Sequence, residues 1–405
     1  DVDKFNYPKE GMRYNGAIMG VDVHKNTLVC AIVDSTGSLH EETYENSLTG
    51  LESILQLIKT YRCEAVAMES TGEYWLKFAW YLQDAKVPIL VANPQQTKAT
   101  QGIKTDKHDA RRIAIAFRDG RLKPSVICNR WQFELRKLGR SLLQYIEQET
   151  AYKNRINKIL LNCENGDVVY KLLVSERGLI LIRGLCGYES LDAYFHCVKE
   201  AYSKGRGKIT KRSDLMNLTR LYWSVRGDLI KNDSFFRFVS EFESLCQAKE
   251  KTSALELQMA RMISNKKETR KALHLLLSIP SVGIRTALIF VAEIVDIRFF
   301  SSSKKFVKWC GLAPRVNQSG YHKRSNGHLC KSGNKYIRRA AYLAVQVDYN
   351  IGRSGPHPVG DFVRRIYQKT GIYKHAIVAG CHKLMSIVYA ILTKQQNFMP
   401  YSSES

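Results

Sequence analysis

The sequence predicts an α/β domain followed by a longer, mostly helical region, and three observations support this division. Short apolar, β-branched segments alternate with helical patterns up to about residue 118, whereas helical patterns dominate the rest of the 405-residue chain. Acidic and basic residues are nearly balanced through residue 130, with 17 Lys and Arg against 16 Asp and Glu, but the remainder carries 45 against 22. Hydrophobic residues make up 44% of the chain, which is enough for folded cores, and the length suits two or three domains.

The first predicted domain, residues 1–125, has the element order of a ribonuclease-H-like fold. Segments that predict strands lie at 17–23, 28–34, 39–45, 64–68 and 87–93. Helical patterns lie at 48–60, about 73–85 and about 105–118. The resulting order β-β-β-α-β-α-β-α is that of three antiparallel strands followed by parallel strands with crossover helices.

The second predicted region, residues 126–275, contains two long amphipathic helices. The first runs from Trp131 to about Cys163, and its candidate core residues are Leu135, Leu138, Leu142, Ile146, Ile156 and Leu160. The second covers about Phe235 to Leu277 and carries a partial heptad, with Leu255, Met262, Thr269 and Leu276 on one position and Met259, Lys266 and Leu273 on the other. Two such helices pair either as an antiparallel coiled coil or as part of a plain helical bundle.

Between these helices, residues 166–234 contain the basic run KGRGKITKR at 204–212. The segment is either an inserted basic subdomain or a solvated loop, and the residues alone do not decide between the two. The last predicted region, residues 276–405, is mostly helical, with helices near 362–368 and 373–394.

The charge and the cysteines limit the class of protein. A net charge of +24 and a pI near 9.6 indicate a polyanionic partner, and nucleic acid is the usual one; the alternative is a basic protein kept soluble by its charge. No two of the ten cysteines have CxxC spacing, so a zinc ribbon is not predicted, and free thiols at this density suit a reducing cytosol. We find neither a secretory h-region nor an uninterrupted apolar run of membrane-spanning length, so we expect a cytoplasmic protein without membrane contact.

Four carboxylates are placed where metal chemistry is expected: Asp22, Glu69, Asp106 and Asp109. Asp22 interrupts an apolar strand, which is costly unless its charge is compensated, and Glu69 ends another strand, where ligand sites of open α/β sheets gather. The i, i+3 spacing puts Asp106 and Asp109 on one helix face. Two divalent ions about 3.5–4 Å apart, clamping a scissile phosphate, need such hard oxygen ligands from several elements. Each of these residues also has a simpler explanation: Asp106 and Asp109 could stabilise a helix N-terminus, and Glu69 could cap the next helix.

Several segments resemble the IS110 family of insertion-sequence transposases and the related Piv-type DNA invertases. In the first domain these are GVDVHK, MESTGEYW and NPQQTKATQGIKTDKHDARRIA, which contain the four carboxylates. In the last region they are LLSIPSVGIRTALIFVAEI, FVKWCGLAPRVNQSGYHKRSNGHLCKSGNKYIRRAAYLA and YKHAIVAGCHKLMSIVYAIL. The resemblance covers about 15–118 and 270–395, and leaves the role of 166–234 open.

The resemblance implies a fold, a reaction and partners. It implies a RuvC-like N-terminal domain whose Asp-Glu-Asp-Asp set, here Asp22, Glu69, Asp106 and Asp109, holds Mg²⁺, with Mn²⁺ as a substitute. It also implies a C-terminal transposase domain with a helix-hairpin-helix-like segment, in which Ser319 is the nucleophile. Family members form dimers and tetramers, act on donor and target double-stranded DNA, and in many cases use an RNA encoded at the end of the element. The setting is the cytoplasm of a bacterium or archaeon, at the nucleoid.

The residues around Ser319 suit nucleic acid on their own. The segment carries ten basic residues that we predict to contact nucleic acid: Lys304, Lys305, Lys308, Arg315, Lys323, Arg324, Lys331, Lys335, Arg338 and Arg339. Four aromatics are interleaved with them: Phe306, Trp309, Tyr321 and Tyr336. Basic residues with aromatics suit phosphate binding and base stacking. The PSVG turn upstream either points backbone N–H groups at a phosphate or is an ordinary helical hairpin.

Together these features predict a site-specific DNA recombinase. In this interpretation the metal polarises the phosphate, and Ser319 attacks it to give a covalent phosphoserine link, which the hydroxyl of another strand later attacks. Two alternatives remain from the residues alone. One is a metal-dependent nuclease or Holliday-junction resolvase that uses water as nucleophile, and the other is an RNA-binding scaffold with vestigial carboxylates.

Overall fold

The computed structural model describes residues 11–70, 72–93, 106–125, 127–204, 207–314, 317–319, 322–324, 333–350 and 357–399. For 106–107, 317–319 and 322–324 the description extends to the backbone only. The chain divides into two compact units, Asp1–Glu134 and Leu135–Ser405. The division of the second unit at 275/276 stays a prediction.

The first unit is built on a five-stranded mixed sheet. Its strands are β1 Ile18–Val23, β2 Thr27–Val33, β3 Leu39–Glu45, β4 Ala65–Glu69 and β5 Ile89–Ala92. The strand order is β3-β2-β1-β4-β5. β1 pairs antiparallel with β2, and β2 with β3, whereas β4 pairs parallel with both β1 and β5. The predicted ribonuclease-H-like fold is therefore confirmed.

Helices cover both faces of this sheet. They are α1 Leu48–Thr60, α2 Trp75–Asp84 and α3 Asp106–Arg118. One core cluster joins α1 and α2 to Met19 and Val21 of β1, and a second joins α3 to Ile18. Since side chains alternate along a strand, β1 is covered on both faces, which explains why its sequence is almost continuously apolar.

Gly20 lets α3 approach the centre of the sheet. A Cβ atom at this position would lie 2.4 Å from the carbonyl oxygen of Ala110 and 2.4 Å from the backbone nitrogen of Ala114. Only glycine fits between a strand and a helix at that separation. At the other end of α3, the N–H of Tyr14 donates to the carbonyl of Arg118, so α3 runs antiparallel to β1.

The second unit is mostly helical. Its helices are α4 Arg130–Leu160, which begins in the first unit, α5 Gly166–Leu172, α6 Glu176–Gly187, α7 Leu191–Ala201, α8 Arg212–Lys231, α9 Phe235–Ser264, α10 Lys267–Leu277, α11 Ile284–Glu293, α12 Ser303–Trp309, α13 Lys335–Asn350, α14 Pro358–Thr370 and α15 Tyr373–Lys394. A 3₁₀ turn covers Ile297–Phe299, and a short hairpin consists of β6 Asn317–Ser319 and β7 His322–Arg324.

The long helices α4 and α9 run antiparallel to each other. Arg155 pairs with Glu241 at 2.9 Å, the Lys251 ammonium lies 5.4 Å from the centre of the Tyr145 ring, and a Cβ atom at Gly139 would meet Met259. As the residue number rises on α4 it falls on α9, which is the predicted antiparallel pairing.

The predicted heptad and the predicted single helix over 235–277 are wrong in detail. The buried heptad position of α9 is formed by Phe238, Leu245, Thr252 and Met259, which is the register of the predicted Met259 position, whereas Leu255 and Met262 of the other predicted position are only partly buried. The helix also ends at Ser264, and α10 starts after Lys266, which has an extended backbone. Ser and Asn favour helix ends because their side chains compete for backbone hydrogen bonds, and Ser264–Asn265 stands at this break.

The inserted segment 166–234 is folded, so the interpretation as a solvated loop is wrong for the segment as a whole. Its helices α5–α8 share a hydrophobic core with the adjoining ends of α4 and α9, in which Tyr194, Val225 and Phe238 are fully buried. The basic run 204–212 separates α7 from α8, and Arg212 is the first residue of α8.

One helix in the described part of the chain, α15, is long and apolar enough to cross a membrane, with a mean hydropathy of 1.6 over 18 residues. Half of that window is buried inside the protein. It packs against α10, α12, α13 and α14 with Ile377, Leu384 and Val388 buried, which is the packing of a core helix.

We expect Gly20→Ala to destabilise the first unit, because the added methyl group forces α3 away from β1. Overpacking of this kind costs about 1–3 kcal/mol. Urea unfolding of the full chain, followed by circular dichroism, measures the effect. Gly227→Ala is the control, because Gly227 is exposed on α8 with nothing within 4 Å of its added Cβ. That variant gains about 1 kcal/mol of helix propensity instead. Equal unfolding midpoints for Gly20→Ala and the unaltered protein would contradict the tight contact.

Candidate functional site

Three of the predicted carboxylates lie on the same side of the sheet in the first unit. In β1, Ile18, Gly20 and Asp22 alternate with residues of the α1/α2 core, so Asp22 is on the α3 side. In β4 the same alternation puts Glu69 on the α3 side. The parallel register pairs Val21 with Met68, and its continuation by one residue brings Asp22 level with Glu69.

Asp109 is brought to this place by α3. Gly20 contacts the backbone at Ala110 and Ala114, while the C-terminal residue of α3 lies near Tyr14, before β1 begins. The N-terminal turn of α3, with Asp109, is therefore at the end of β1 where Asp22 stands. Asp106 is the first residue of α3, and its side chain lies outside the described part of the structure.

The carboxylates of Asp22 and Asp109 are both partly buried and have cationic or imidazole neighbours. Nε2 of His24 lies 3.2 Å from Oδ2 of Asp22, whose side chain is 17% exposed. An Nη atom of Arg112 donates to Oδ1 of Asp109 at 2.7 Å, and that side chain is 21% exposed. Arg112 offsets the repulsion that several carboxylates on one face would otherwise exert on each other.

Glu69 is placed by the end of its strand. The N–H of Ser70 donates to the carbonyl of Ala92, so the pairing of β4 with β5 continues just past Glu69. The chain then turns at Gly72, which has φ +63°, before α2 begins. Since only glycine adopts this backbone region without cost, Gly72 suits the turn between the end of β4 and the start of α2.

The donor chemistry of the set fits a hard divalent cation. Carboxylate oxygens from β1, β4 and α3 on one face are the ligands that Mg²⁺ and Mn²⁺ prefer. Among the residues that the structure describes, no three Asp, Glu, His or Cys side chains come together closely enough to hold an ion. The side chain of Asp106, the fourth member, is not among them.

Ser319 lies in the second unit as the last residue of β6. The hairpin register pairs Ser319 with His322, Gln318 with Lys323 and Asn317 with Arg324. The residues between the two strands lie outside the described part, as do the side chains of the hairpin. The backbone therefore puts Ser319 at the end of a short two-stranded hairpin, and its predicted role stays a prediction.

The predicted nucleic-acid contacts divide by exposure. Lys304, Lys305 and Lys308 of α12 and Lys335 of α13 are exposed. Arg338 and Arg339 are half-buried, and Nε of Arg339 lies 3.2 Å from Glu147. The side chains of Arg315, Lys323, Arg324 and Lys331 lie outside the described residues.

One of the aromatics predicted to stack on bases is instead part of the core. Phe306 is fully buried and packs against Phe300, Trp309 and Tyr389 at ring-centroid distances of 5.1–5.9 Å. Its burial was hard to predict because Phe306 directly follows Lys304 and Lys305. A helix of seven residues is also too short for its apolar face to show a clear periodicity. Tyr336 is half-buried beneath the Arg140 guanidinium, 4.4 Å from the ring centre.

The PSVG turn connects α10 and α11 as a tight helical hairpin. The N–H of Val282 donates to the carbonyl of Ile279 at 2.9 Å. The Ser281 hydroxyl donates to the buried Asp348 carboxylate at 3.0 Å, and Nδ1 of His357 lies 2.8 Å from the other carboxylate oxygen. The turn is thus fixed to α13, and its predicted grip on a phosphate stays untested.

Sequence reasoning missed the partners of the carboxylates and two buried acidic residues. His24 and Arg112 were visible as near neighbours, since Asp109 and Arg112 have the i, i+3 spacing of a helical ion pair. Glu293 and Asp348, each 1% exposed, interrupt apolar helix patterns as Asp22 interrupts a strand. An acidic residue inside an apolar helix pattern is costly unless its charge is compensated, so the sequence pattern alone could have identified Glu293 and Asp348.

Comparison with known proteins gives matches in both units. The IS110 DEDD transposase model, described as Transposase, matches residues 19–164, and the model described as Transposase IS116/IS110/IS902 family matches residues 273–355. The pilin gene-inverting protein of Moraxella bovis is 31% identical over 392 residues, covering 94% of this chain and 97% of that protein. The transposase for insertion sequence element IS1111A of Coxiella burnetii is 21% identical, covering 94% and 91%.

Among solved structures, Thermus thermophilus RuvC in complex with a Holliday junction substrate is 18% identical, with a TM-score of 0.22, and the match covers 27% of this chain and 99% of that one.

The matches to the transposase family and to the DNA-inverting and transposase relatives define the chain as a DNA-rearranging enzyme. It belongs to the IS110 family of transposases, as the resemblance of its motifs predicted.

Proposed function

We propose that this chain is the site-specific recombinase of a mobile DNA element and that it cuts and rejoins strands by transesterification at a divalent-metal site. The observation that supports the proposal is that Asp22, Glu69 and Asp109, from two strands and a helix, stand on the same side of the sheet at the same end of β1 and β4. A purely structural role would not require three carboxylates on the face that α3 approaches most closely. Asp106 completes the donor set.

When bound, Mg²⁺ or Mn²⁺ supplies Lewis acidity that polarises the scissile phosphate. Asp22, Glu69, Asp106 and Asp109 are the residues that would hold it. The hydroxyl oxygen of Ser319 forms a bond to phosphorus, the bond from phosphorus to the leaving strand breaks, and the serine proton passes to the departing hydroxyl. In the second step the hydroxyl oxygen of another strand forms a bond to phosphorus, the bond from phosphorus to the serine oxygen breaks, and the proton of the attacking hydroxyl passes to the serine oxygen, so that the number of phosphodiester bonds is conserved.

The proposed partners are double-stranded DNA at donor and target sites, an element-encoded guide RNA, and further copies of the chain. The basic surplus beyond residue 130, 45 Lys and Arg against 22 Asp and Glu, supports binding to polyanions. The RNA, the dimer or tetramer and the cytoplasmic setting are expectations carried over from the family.

Neutralising a metal ligand is expected to abolish strand cleavage while leaving nucleic-acid binding intact. Asp22→Asn and Asp109→Asn each remove a charged oxygen donor. Mg²⁺ should also raise the unfolding temperature of the unaltered protein, because a ligand that binds only the folded state adds about 2.7 kcal/mol at roughly 100 times its dissociation constant. Differential scanning fluorimetry with and without EDTA measures this shift, and a labelled DNA substrate measures cleavage.

Asp119→Asn is the matched control, since Asp119 is exposed beyond the end of α3 and pairs only with Arg121 in the described structure. It should keep both the Mg²⁺ shift and cleavage. Full cleavage in EDTA, or an unaltered Mg²⁺ shift in Asp22→Asn, would argue against the metal site.

Removing the exposed charges of α12 is expected to weaken DNA binding and to reduce its dependence on salt. In Lys304→Gln/Lys305→Gln/Lys308→Gln, the slope of log affinity against log salt should fall by about one for each lysine that contacts a phosphate. Fluorescence anisotropy with duplex DNA at several salt concentrations gives the slope. The control is Lys59→Gln/Lys77→Gln/Lys86→Gln, three exposed lysines of the nearly neutral first unit. Equal slopes in the two triple variants would show that α12 does not contact the DNA backbone.

Ser319 is expected to form a covalent adduct with DNA. Incubation of the chain with its RNA and labelled DNA, followed by denaturing electrophoresis, should leave label on the protein. Ser319→Ala should abolish the adduct and spare assembly, whereas Ser325→Ala and Ser332→Ala should retain it. An adduct that persists in Ser319→Ala would move the nucleophile elsewhere. Clean cutting by the unaltered protein without any adduct would favour a nuclease that uses water.

A further inference from the structure

A buried acidic residue of the second unit contacts both the long helix α4 and the segment that carries Ser319. Glu293, the last residue of α11, is 1% exposed. Nε of Arg140 donates to Oε1 at 2.8 Å, and Nε of Arg136 lies 3.2 Å from Oε2. The side-chain amide of Asn334 also donates to Oε2, at 2.8 Å.

This position is an expensive one for a carboxylate. Burial removes the charge from water, and the C-terminal end of a helix carries partial negative charge that repels it. The two guanidinium groups of α4, one helical turn apart, offset that cost. Arg136 also donates to the backbone carbonyl of Glu293 at 2.9 Å, so it occupies one of the carbonyls left without a partner at the end of α11.

Asn334 connects Glu293 to the start of α13. Its Oδ1 accepts hydrogen bonds from the backbone N–H groups of Tyr336 and Ile337, at 3.0 and 3.1 Å, and so caps the helix. With Oδ1 used by the cap, the amide nitrogen is the group directed at Glu293. One side chain therefore fixes the beginning of α13 and ties it to the end of α11.

Asn334 also joins the two ends of the segment that contains Ser319. The backbone N–H of Asn334 donates to the carbonyl of Trp309 at 2.8 Å. A Cβ atom on Gly333 would lie 2.5 Å from that carbonyl and 2.6 Å from the nitrogen of Gly311. The end of α12 and the start of α13 are therefore in direct contact. We call this contact the neck and define it as Trp309, Gly311, Gly333 and Asn334. Residues 312–332, with the β6–β7 hairpin, are the segment between them.

We infer that Glu293 is a positioning residue for the strand-transfer reaction: through Asn334 it fixes the neck relative to α4, and the neck is the base of the segment that carries β6 and Ser319. The inference rests on the proposed role of Ser319. Replacing a buried ion pair by apolar residues is often neutral or stabilising, so stability alone is a weak reason for Glu293, Arg136 and Arg140 to be combined here. Placement of a nucleophile is a stronger one, since an error of about 1 Å costs a reaction roughly 100-fold in rate.

An exchange of the amide and the carboxylate tests this contact. Asn334→Asp retains an oxygen for the helix cap but sets two carboxylates against each other. Glu293→Gln combined with Asn334→Asp restores one donor and one acceptor and the same total charge. The readouts, taken on the full chain, are the single-turnover rate of adduct formation at saturating DNA, the DNA affinity and the urea unfolding midpoint.

We expect Asn334→Asp to slow adduct formation about tenfold or more with unchanged DNA affinity. The double variant should recover part of that loss, since Nε of Arg136 also lies 3.2 Å from Oε2 and would face the introduced amide nitrogen. Asn334→Ser, which keeps a capping oxygen but cannot reach Glu293, should be slowed without a large change in the unfolding midpoint. Asn129→Ser is the control, because Asn129 caps α4 through the N–H of Gln132 and is remote from the neck in sequence.

Two results would overturn the inference while the unaltered protein still forms its adduct. One is an unaltered rate in both Asn334→Asp and Asn334→Ser, and the other is a double variant as slow as Asn334→Asp with a normal unfolding midpoint. Absence of any adduct from the unaltered protein would overturn the proposed nucleophile and this inference together, and is thereby distinguishable from failure of the inference alone.

Discussion

The close contact between α3 and β1 at Gly20 determines the arrangement of the first unit. Because no side chain separates the strand from Ala110 and Ala114, the helix backbone comes so close to β1 that a Cβ atom at Gly20 would clash with it. The antiparallel direction of α3 then brings its first turn to the end of β1 at which Asp22 stands. A helix packed one side-chain layer further out would place Asp109 several ångströms further from the sheet, so the proposed sharing of an ion with Asp22 and Glu69 depends on the close approach at Gly20.

Much of this architecture was predictable because it depends on short-range patterns. Short apolar, β-branched runs identified the strands of the first unit, and a charged residue inside one of these runs identified Asp22 as exceptional. The break between α9 and α10 was not predictable from periodicity, since Leu273 and Leu276 continue an apolar repeat across it. The helical fold of 166–234 was likewise hidden: its core residues contact one another and the ends of α4 and α9, and those long-range contacts leave no local signature.

The candidate site was predicted in its composition but not in its partners. Motif position identified the carboxylates, whereas His24 and Arg112 were missed because basic residues are frequent in this chain and give little contrast. Phe306 shows the opposite error, since a residue between exposed lysines belongs to the aromatic core with Phe300 and Tyr389. In a strongly basic chain, the informative residues are the buried acidic ones. Glu293 and Asp348 each tie together elements that are distant in sequence, and each interrupts an otherwise apolar pattern.

The division of charge between the two halves of the sequence has a physical reason. Through residue 130 the sequence is nearly neutral, with 17 Lys and Arg against 16 Asp and Glu, so this part by itself has little net electrostatic attraction for DNA. The attraction must therefore come from residues beyond 130, where basic residues outnumber acidic ones about two to one. Binding energy gained there from the phosphate backbone is independent of base sequence and is available to hold a scissile phosphate near groups that would otherwise repel it. Glu293 shows that an acidic residue of the second unit can act as an internal tie, because its charge is enclosed by Arg136 and Arg140 and is not presented to solvent.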